Sequence, residues 1–544
     1  MVSYNIKVKD DEETKFIISK DFSKAFNLSK VKSSFIRFGF KIIESTIIID
    51  DNLPSNEIVI SQNIIEQLKL PTYCNFNITV NKQGEIIFGP FIGIYMGRKE
   101  TTLIKKLRII DSYVKKYKEV NGAVFAFTLD NINKENFTMR GYIYNPRMDI
   151  WQKVTVPYPA SIFNKTTMNT DWREYFGALY GNKIFNYNSF DKWEMYERLK
   201  QFDDIEGLFP PTKLYENVEG ITEYLDQYKN LFIKPIAGKK GLGIYNVIKT
   251  NNVIQVKTRL KGENLAWEFA DRNEFLTFIV GKLETNQYII QKTLDIQIDS
   301  KAIDFRVGMD KDQTGNWNNI MFISRVSGDN SIVSNRALGG GVIRLIPDVL
   351  KDIYKMSNEE VEEYESNLVT IATKISVYLE KTGLYLGKLA FDIAIDSNKK
   401  IWIVEINSRY PDDSLANSLG DTQTYYDIRH TNMMFSKRLS GFDQTTNDTL
   451  LHFSGSSAQV NNREIKKVKI YIGVTKNNKE KFKEYLSGLL QKTVFSPDVN
   501  YNETKRKFEI VLEGKFVDIN QFIQSLKISK ENTIENVIGI VDLN

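Results

Sequence analysis

Residues 389–407 read LAFDIAIDSNKKIWIVEIN. Two apolar runs flank a polar turn at 396–400, which predicts a β-hairpin. Glu405 and Asn407 are two positions apart and therefore share one face of their strand. Folding about the turn brings Asp392 roughly opposite Glu405, whereas a register slip of one residue would turn Asp392 to the other face. Acidic side chains inside apolar strands need compensation, because buried unpaired charge is costly. Magnesium supplies it, since it takes carboxylate and other oxygen ligands together with nucleotide phosphates and water. Asp392, Glu405 and Asn407 are therefore candidate metal ligands, and pairing with a neighbouring lysine or arginine is the alternative.

Upstream, AIDFRVG (302–308) places Asp304 and Arg306 on one strand face. Arg325 lies on the next expected strand, and SNRALGGG (334–341), which contains Asn335, forms a polar glycine loop. Arginines here can hold a transferred phosphoryl group or the tetrahedral intermediate that follows it. Ion pairing within the fold is the other reading of any one of them.

Further upstream lies FIKPIAGKKGLGIY (232–245). Its glycines, Gly238, Gly241 and Gly243, let the backbone turn tightly and bring amide groups close to phosphate oxygens, and Lys234, Lys239 and Lys240 add positive charge. A Walker loop needs Gly-Lys-Ser/Thr leading into a helix, and a Rossmann fingerprint also needs a following helix. Here a strand enters and a strand leaves, so the loop reads as a hairpin flap, or as a plain glycine-rich turn.

The totals narrow the chemistry. The 544 residues carry 73 basic and 68 acidic side chains, a net charge of +5 that demands no nucleic acid. A single cysteine, Cys74, excludes an internal disulfide framework and a cysteine-rich zinc site. The only histidines, His430 and His452, lack zinc-hydrolase spacing, and no G-x-S-x-G elbow occurs. Any reaction must run on carboxylates, lysines, arginines, backbone amides and a hard metal ion. No run reaches the ~18 apolar residues of a membrane span, and the charged start lacks a secretory core. A soluble, cytoplasmic protein is expected.

The expected class is α+β and α/β, multidomain. Residues 1–88 form a mostly-β domain and 89–185 an α/β domain, with buried strands near 89–97, 123–127 and 160–164 and helical spacing over 101–120. Mixed α+β sequence runs over 186–455, and a polar linker covers 454–462. Residues 466–544 follow the order βαββαβ, a ferredoxin-like unit whose second helix falls near 517–528.

Taken in order, these pieces resemble the ATP-grasp superfamily, specifically its YheC/YheD branch associated with endospore coats. The matching elements are Gly89-Pro90-Phe91-Ile92-Gly93-Ile94, Ile162-Phe163-Asn164-Lys165, Asp191-Lys192-Trp193 and Phe209-Pro210-Pro211-Thr212. Lys234-Pro235 with its glycine loop, Tyr288-Ile289-Ile290-Gln291, Asp304-Phe305-Arg306, Ser334-Asn335 and Glu405-Ile406-Asn407 complete the series, which spans about three fifths of the chain. The resemblance implies an ATP-grasp domain over 186–455, with ATP between two α+β subdomains. Lys192 and Lys234 would approach the nucleotide, and the flap with Gly238, Lys239, Lys240, Gly241 and Gly243 would close over its phosphates. The segment with Gln291 and Lys292 would contact adenine, and Asp304 would belong to the nucleotide-binding set. Asp392, Glu405 and Asn407 would hold one or two magnesium ions. Arg306, Arg325 and Asn335 would stabilise an acyl phosphate.

The implied activity is ATP-dependent ligation of a carboxylate to an amine, on an amino acid or peptide. A catalytically silent nucleotide-binding protein of the spore coat and a phosphotransferase are the alternatives. Two features depart from the family pattern. Phe163-Asn164-Lys165 stands where Tyr-Asn-Arg is frequent, which loses the planar guanidinium fork. The tail from 466 lies outside the common core and is a candidate site for a peptide or protein partner. Spore association is compatible with the cytoplasmic expectation, and the sequence leaves oligomeric state open.

Overall fold

A computed structural model describes residues 5–81, 84–238, 242–251, 253–260, 263–298, 301–327, 342–408, 411–442, 465–474, 479–490, 498–502, 507–515 and 534–542. Its strands assemble into five sheets.

The first sheet has seven strands between Asn5–Lys9 and Ile86–Gly89, with the helices Lys20–Ala25 and Gln62–Leu68 packed on it. The second has six strands. Ala123–Asn133, Phe91–Tyr95, Ser161–Asn164 and Ile184–Phe185 run parallel, and Thr138–Asn145 and Ile150–Pro157 extend them antiparallel. Phe91–Tyr95 and Ser161–Asn164 are buried at every position, as strands covered on both faces must be. The helical spacing over 101–120 resolves into a helix at Glu100–Ile110, a 3-10 turn at Asp111–Tyr113 and a short helix at Tyr117–Val120.

Although the strands divide near residue 89, the packing does not. One hydrophobic core runs from Phe16 and Phe88 through Phe91 and Phe125 to Tyr187, and the Phe38 and Phe91 rings stack at 4.3 Å across the division. The chain crosses from one sheet to the other at Pro90 with no linker, so the two sheets share their apolar faces.

Two all-antiparallel sheets follow. The first runs Thr212–Leu214, Tyr288–Lys292, Asn230–Pro235, Tyr245–Lys249, Ile254–Leu260, Glu263–Phe269. The helices Val218–Tyr228 and Arg272–Val280 cover one of its faces through Ile221, Leu225, Phe275 and Ile279. The second runs Val342–Leu345, Trp317–Val326, Lys301–Lys311, Lys388–Ile395, Ile401–Asn407, with Gln297–Ile298 paired to the third of these. Behind it lies the long helix Asn358–Lys381, started by a capping box between Ser357 and Glu360. The helix Thr422–Leu439 leaves this region and packs Met433, Phe435 and Leu439 against the parallel strands of the earlier α/β sheet.

In the tail, Asp498–Asn502, Lys507–Lys515, Ile465–Val474 and Ile534–Asp542 form a sheet in that order, antiparallel throughout, with the helix Lys479–Leu490. The second helix expected near 517–528 and the linker at 454–462 lie outside the described residues.

Asn186 holds the α/β sheet to the later strands. Its amide nitrogen donates to Lys388 O at 2.6 Å and Ser408 O at 2.8 Å, and its amide oxygen accepts from Gly387 N at 2.9 Å and Lys388 N at 3.0 Å. The residue is 4% exposed and adopts φ +56, a conformation asparagine tolerates better than most. Asn186→Ala removes four buried hydrogen bonds and leaves their backbone partners unsatisfied. A loss of about 4 kcal/mol in unfolding free energy is expected, measured by urea denaturation.

Candidate active site

The alternation of the strand Lys301–Lys311 makes its sheet two-faced. Ile303, Phe305, Val307 and Met309 enter the core beneath the long helix, and Asp304, Arg306, Gly308 and Asp310 occupy the other face. Register then decides which charges meet. Arg306 is opposite Asp392, Asp304 opposite Arg325, and Asp392 opposite Glu405. Beyond Asp392 the pairing shifts to Ile393 with Ile403, so Val404 is an extra residue in a bulge. Glu405 and Asn407 share the face of Asp392.

Asp392 is held twice over. Arg306 donates to both of its oxygens, through Nε to Oδ1 and through Nη2 to Oδ2 at 3.0 Å. Arg325 Nη2 lies 3.1 Å from Oδ1, and Asn407 Nδ2 donates to Oδ2 at 3.3 Å. Arg325 in turn donates through Nε to Asp304 Oδ1 at 2.6 Å. Two guanidiniums thus face two carboxylates. Burial pushes the Asp392 carboxyl upward, but the charges of Arg306 and Arg325 outweigh it and hold the group below the usual carboxylate range.

The facing wall comes from the other antiparallel sheet. Ile233 enters the core of that sheet, so Phe232 and Lys234 face the cleft. Lys234 Nζ donates to Gln291 Oε1 at 2.7 Å, Gln291 Nε2 donates to Thr212 Oγ1 at 2.9 Å, and Thr212 Oγ1 donates to Pro210 O at 2.7 Å. Asp191 caps the helix Lys192–Leu199, and Lys192 N donates to Ile236 O at 3.2 Å, beside the glycine flap. The same helix packs Met195 and Leu199 into the core of the sheet that bears Glu405, and Lys192 Nζ lies 3.7 Å from Glu405 Oε1. Desolvation lowers Lys234 to about 8, with Glu405 pulling it up and Lys192 pushing it further down.

Gly238 and Gly243 bracket the flap. A Cβ at Gly238 would come within 2.9 Å of Pro235 Cγ, and Gly243 has φ +72. Lys239, Lys240, Gly241 and Asn335 lie outside the described residues. Lys292 does not join the cluster. Its strand alternation turns it away from Gln291, and its ammonium lies 5.5 Å from the centroid of the Tyr228 ring, on the helix-covered side.

The donor set suits magnesium in part. Glu405 keeps a carboxylate 37% exposed, whose partner Lys192 is 3.7 Å away, and the Asn407 carbonyl oxygen lies on the same strand face. These are hard oxygen donors of the kind magnesium takes. Both oxygens of Asp392 are engaged by guanidinium groups here.

Sequence reasoning missed a second cluster at the far end of the same sheet face. Lys388 Nζ lies 2.9 Å from Asp310 Oδ2 and 2.9 Å from Asp413 Oδ1, and Asp413 also pairs with Lys165 at 3.4 Å and Arg429 at 3.8 Å. Asn432 donates to Asp310. Burial raises Asp310 to about 6, against the pull of Lys388. The available signal was alternation alone: Asp310 is four residues beyond Arg306, and Lys388 four before Asp392.

Residues 181–439 match the protein family described as YheC/D like ATP-grasp. This region is a YheC/D-like ATP-grasp domain. The chain is 26% identical over 386 residues to the endospore coat-associated protein YheD of Bacillus subtilis, covering 68% of this chain and 83% of that protein. It is 23% identical over 293 residues to YheC of the same organism, covering 52% and 79%. Among solved structures it is similar to a Chryseobacterium gregarium RiPP-associated ATP-grasp ligase in complex with ADP and a leader and core peptide. That likeness has 11% identity and a TM-score of 0.34, over 64% of this chain and 96% of that one. The matched region takes in both antiparallel sheets and the helix Thr422–Leu439, so the two walls of the cleft belong to one ATP-grasp domain. No helix among the described residues is long and apolar enough to cross a membrane.

The cleft electrostatics can be tested by titration. Lys234 should lose its proton as pH rises through about 8, read by NMR of the labelled lysine side chain. Glu405→Gln removes a charge that favours the ammonium, so the Lys234 midpoint should move lower still.

Proposed function

We propose that the chain is an ATP-dependent carboxylate–amine ligase acting on an amino acid or peptide. The observation that carries this reading is the arrangement across the cleft. Arg306 and Arg325 stand beside Glu405 and Asn407 on one wall, with Lys192 at its margin, and Lys234 stands on the other. Such a site concentrates positive charge where a phosphoryl group would pass and keeps two oxygen donors for a metal.

In this scheme Lys192 and Lys234 bind phosphate oxygens, with Gly238 and Gly243 framing a flap that Lys239, Lys240 and Gly241 complete. Gln291 orients Lys234 and lies where the nucleotide base would enter. Glu405 and Asn407 would hold magnesium, which when bound offsets phosphate charge. Asp304 and Asp392 fix the planes of Arg325 and Arg306, which stabilise the acyl phosphate formed when the substrate carboxylate takes the γ-phosphoryl group of ATP. An amine then displaces phosphate and forms the amide. Spore association of this activity fits the names of the curated relatives, which also favour a second reading, a structural nucleotide-binding role in the coat.

The assay is ADP and phosphate release with magnesium across amino acids and short peptides, with mass analysis of products. Ligase activity predicts substrate-dependent ADP release and a condensed amide. A phosphorylated product that ignores amines would mean a phosphotransferase, and nucleotide binding without turnover would favour the coat role. Glu405→Gln should lower kcat by about 10²-fold or more while leaving the unfolding midpoint unchanged; near-normal turnover would remove Glu405 from the metal site. Above pH 8, ATP affinity should fall as Lys234 loses charge, and Lys234→Arg should flatten that fall, read by calorimetry at fixed magnesium.

A further inference from the structure

The sheet that carries Asp392 has two edges, and they are finished differently. At one, the strand Ile401–Asn407 is covered: Ile403 N donates to Leu208 O at 2.7 Å. At the other, Val342–Leu345 pairs only with Trp317–Val326 among the described residues, so its outer row of backbone groups has no strand partner there. Exposed edges are ordinarily blunted by charge, proline or a bulge. The outer strand of the facing wall, Glu263–Phe269, follows that rule with exposed Glu263 and Glu268. On Val342–Leu345 the exposed side chains are aliphatic, Val342 at 59% and Leu345 at 48%.

This edge is also the floor of a groove of about 410 Å³ lined by Ile343, Arg344, Leu345, Asp348, Leu419 and Asp421. Asp348 rises on one side from the helix Ile346–Asp352. Leu419 and Asp421 rise on the other, at the junction of the 3-10 segment Asp413–Leu419 and the helix Thr422–Leu439. Four strand residues at ~3.3 Å each give a rail about 13 Å long. Arg344 is engaged by Asp352, which leaves Asp348 and Asp421 to set the sign of the groove. It is acidic, with an aliphatic floor.

We propose that this edge is a docking rail for an extended basic–apolar peptide, which adds to the sheet as a further antiparallel strand. Main-chain hydrogen bonds would supply affinity, and alternate side chains would supply selectivity against Asp348, Asp421 and Leu345. The orientation follows from register and rests on the ligase reading. Ile343 is opposite Arg325, and Leu345 is opposite Ile323, which is itself opposite Arg306, so the two guanidiniums lie in the rows of Ile343 and Leu345. A strand antiparallel to Val342–Leu345 directs its C-terminal end toward Val342. A peptide on the rail would run alongside the row of Arg325, two strands away, with its C-terminal end at Val342; on the ligase reading it is a substrate held beside the site.

The test is fluorescence anisotropy on the full chain without ATP, using fluorescein-labelled Lys-Val-Lys-Leu-Gly with a free C-terminus and its acidic counterpart Glu-Val-Glu-Leu-Gly. The basic peptide should saturate and the acidic one should not. Asp348→Lys should weaken the basic peptide at least ten-fold and admit the acidic one. Asp348→Asn serves as the milder variant should the charge reversal unfold the chain. N-methylation of alternate peptide amides should abolish binding in one of its two patterns, because only every other amide faces the rail. No saturation up to about 1 mM, indifference to Asp348 variants, or indifference to both methylation patterns would overturn the rail. Binding in this experiment, with no substrate-dependent ADP release in the separate assay with ATP and magnesium, would retain the rail and sink the ligase reading. ADP release from other substrates, with no peptide binding, would do the reverse.

Discussion

Asp392 is 7% exposed and lies between Arg306 and Arg325, and the rest of the cleft is arranged around that contact. A carboxylate so buried is tolerable only because two guanidiniums surround it, and removing either would leave uncompensated charge in the sheet. The same contact fixes the planes of both arginines and leaves Glu405, 37% exposed, as the open carboxylate on that face. Preorganisation of this kind lets a site stabilise developing charge without rearranging when the reaction begins.

The cleft also depends on how its sheet is anchored. The face that carries Arg306 and Asp392 continues to Asp310 and Lys388, where Asp413, Lys165 and Arg429 join a buried ionic network. Lys165 comes from the α/β sheet, and Arg429 and Asn432 come from the helix that returns to cover it. Together with Asn186, this network ties the strands bearing Glu405 and Asn407 to the preceding domain. Its cost in desolvation is high, and its benefit is a single geometry, since such charges are tolerated only when each finds its partner.

Lys234 shows the opposite use of burial. It has a hydrogen-bond acceptor in Gln291 and, among the described residues, no carboxylate at contact distance, so desolvation lowers it to about 8. A bound phosphate would supply the missing anion and restore the charge. One wall of the cleft is therefore neutralised internally, and the other is left short of negative charge.

Much of this was legible in one sequence. The hairpin at 389–407 and the shared face of Asp304 and Arg306 follow from a side-chain period of two and a short turn, both local properties, whereas Asp392 meets Glu405 only because Val404 bulges out of the ladder. The hairpin of Asn230–Pro235 and Tyr245–Lys249 around the glycine segment was equally local. What the tertiary structure decided was which charges meet. Arg306 and Asp392 are 86 residues apart in sequence, Lys192 reaches Glu405 from a helix far earlier in the chain, Lys292 turns to the helix side, and Asp310 finds Lys388 and Asn432. No period in the chain encodes those meetings. Electrostatic energy depends on distance in space and on the water excluded around each pair. Both are fixed only when strands distant in sequence come into register.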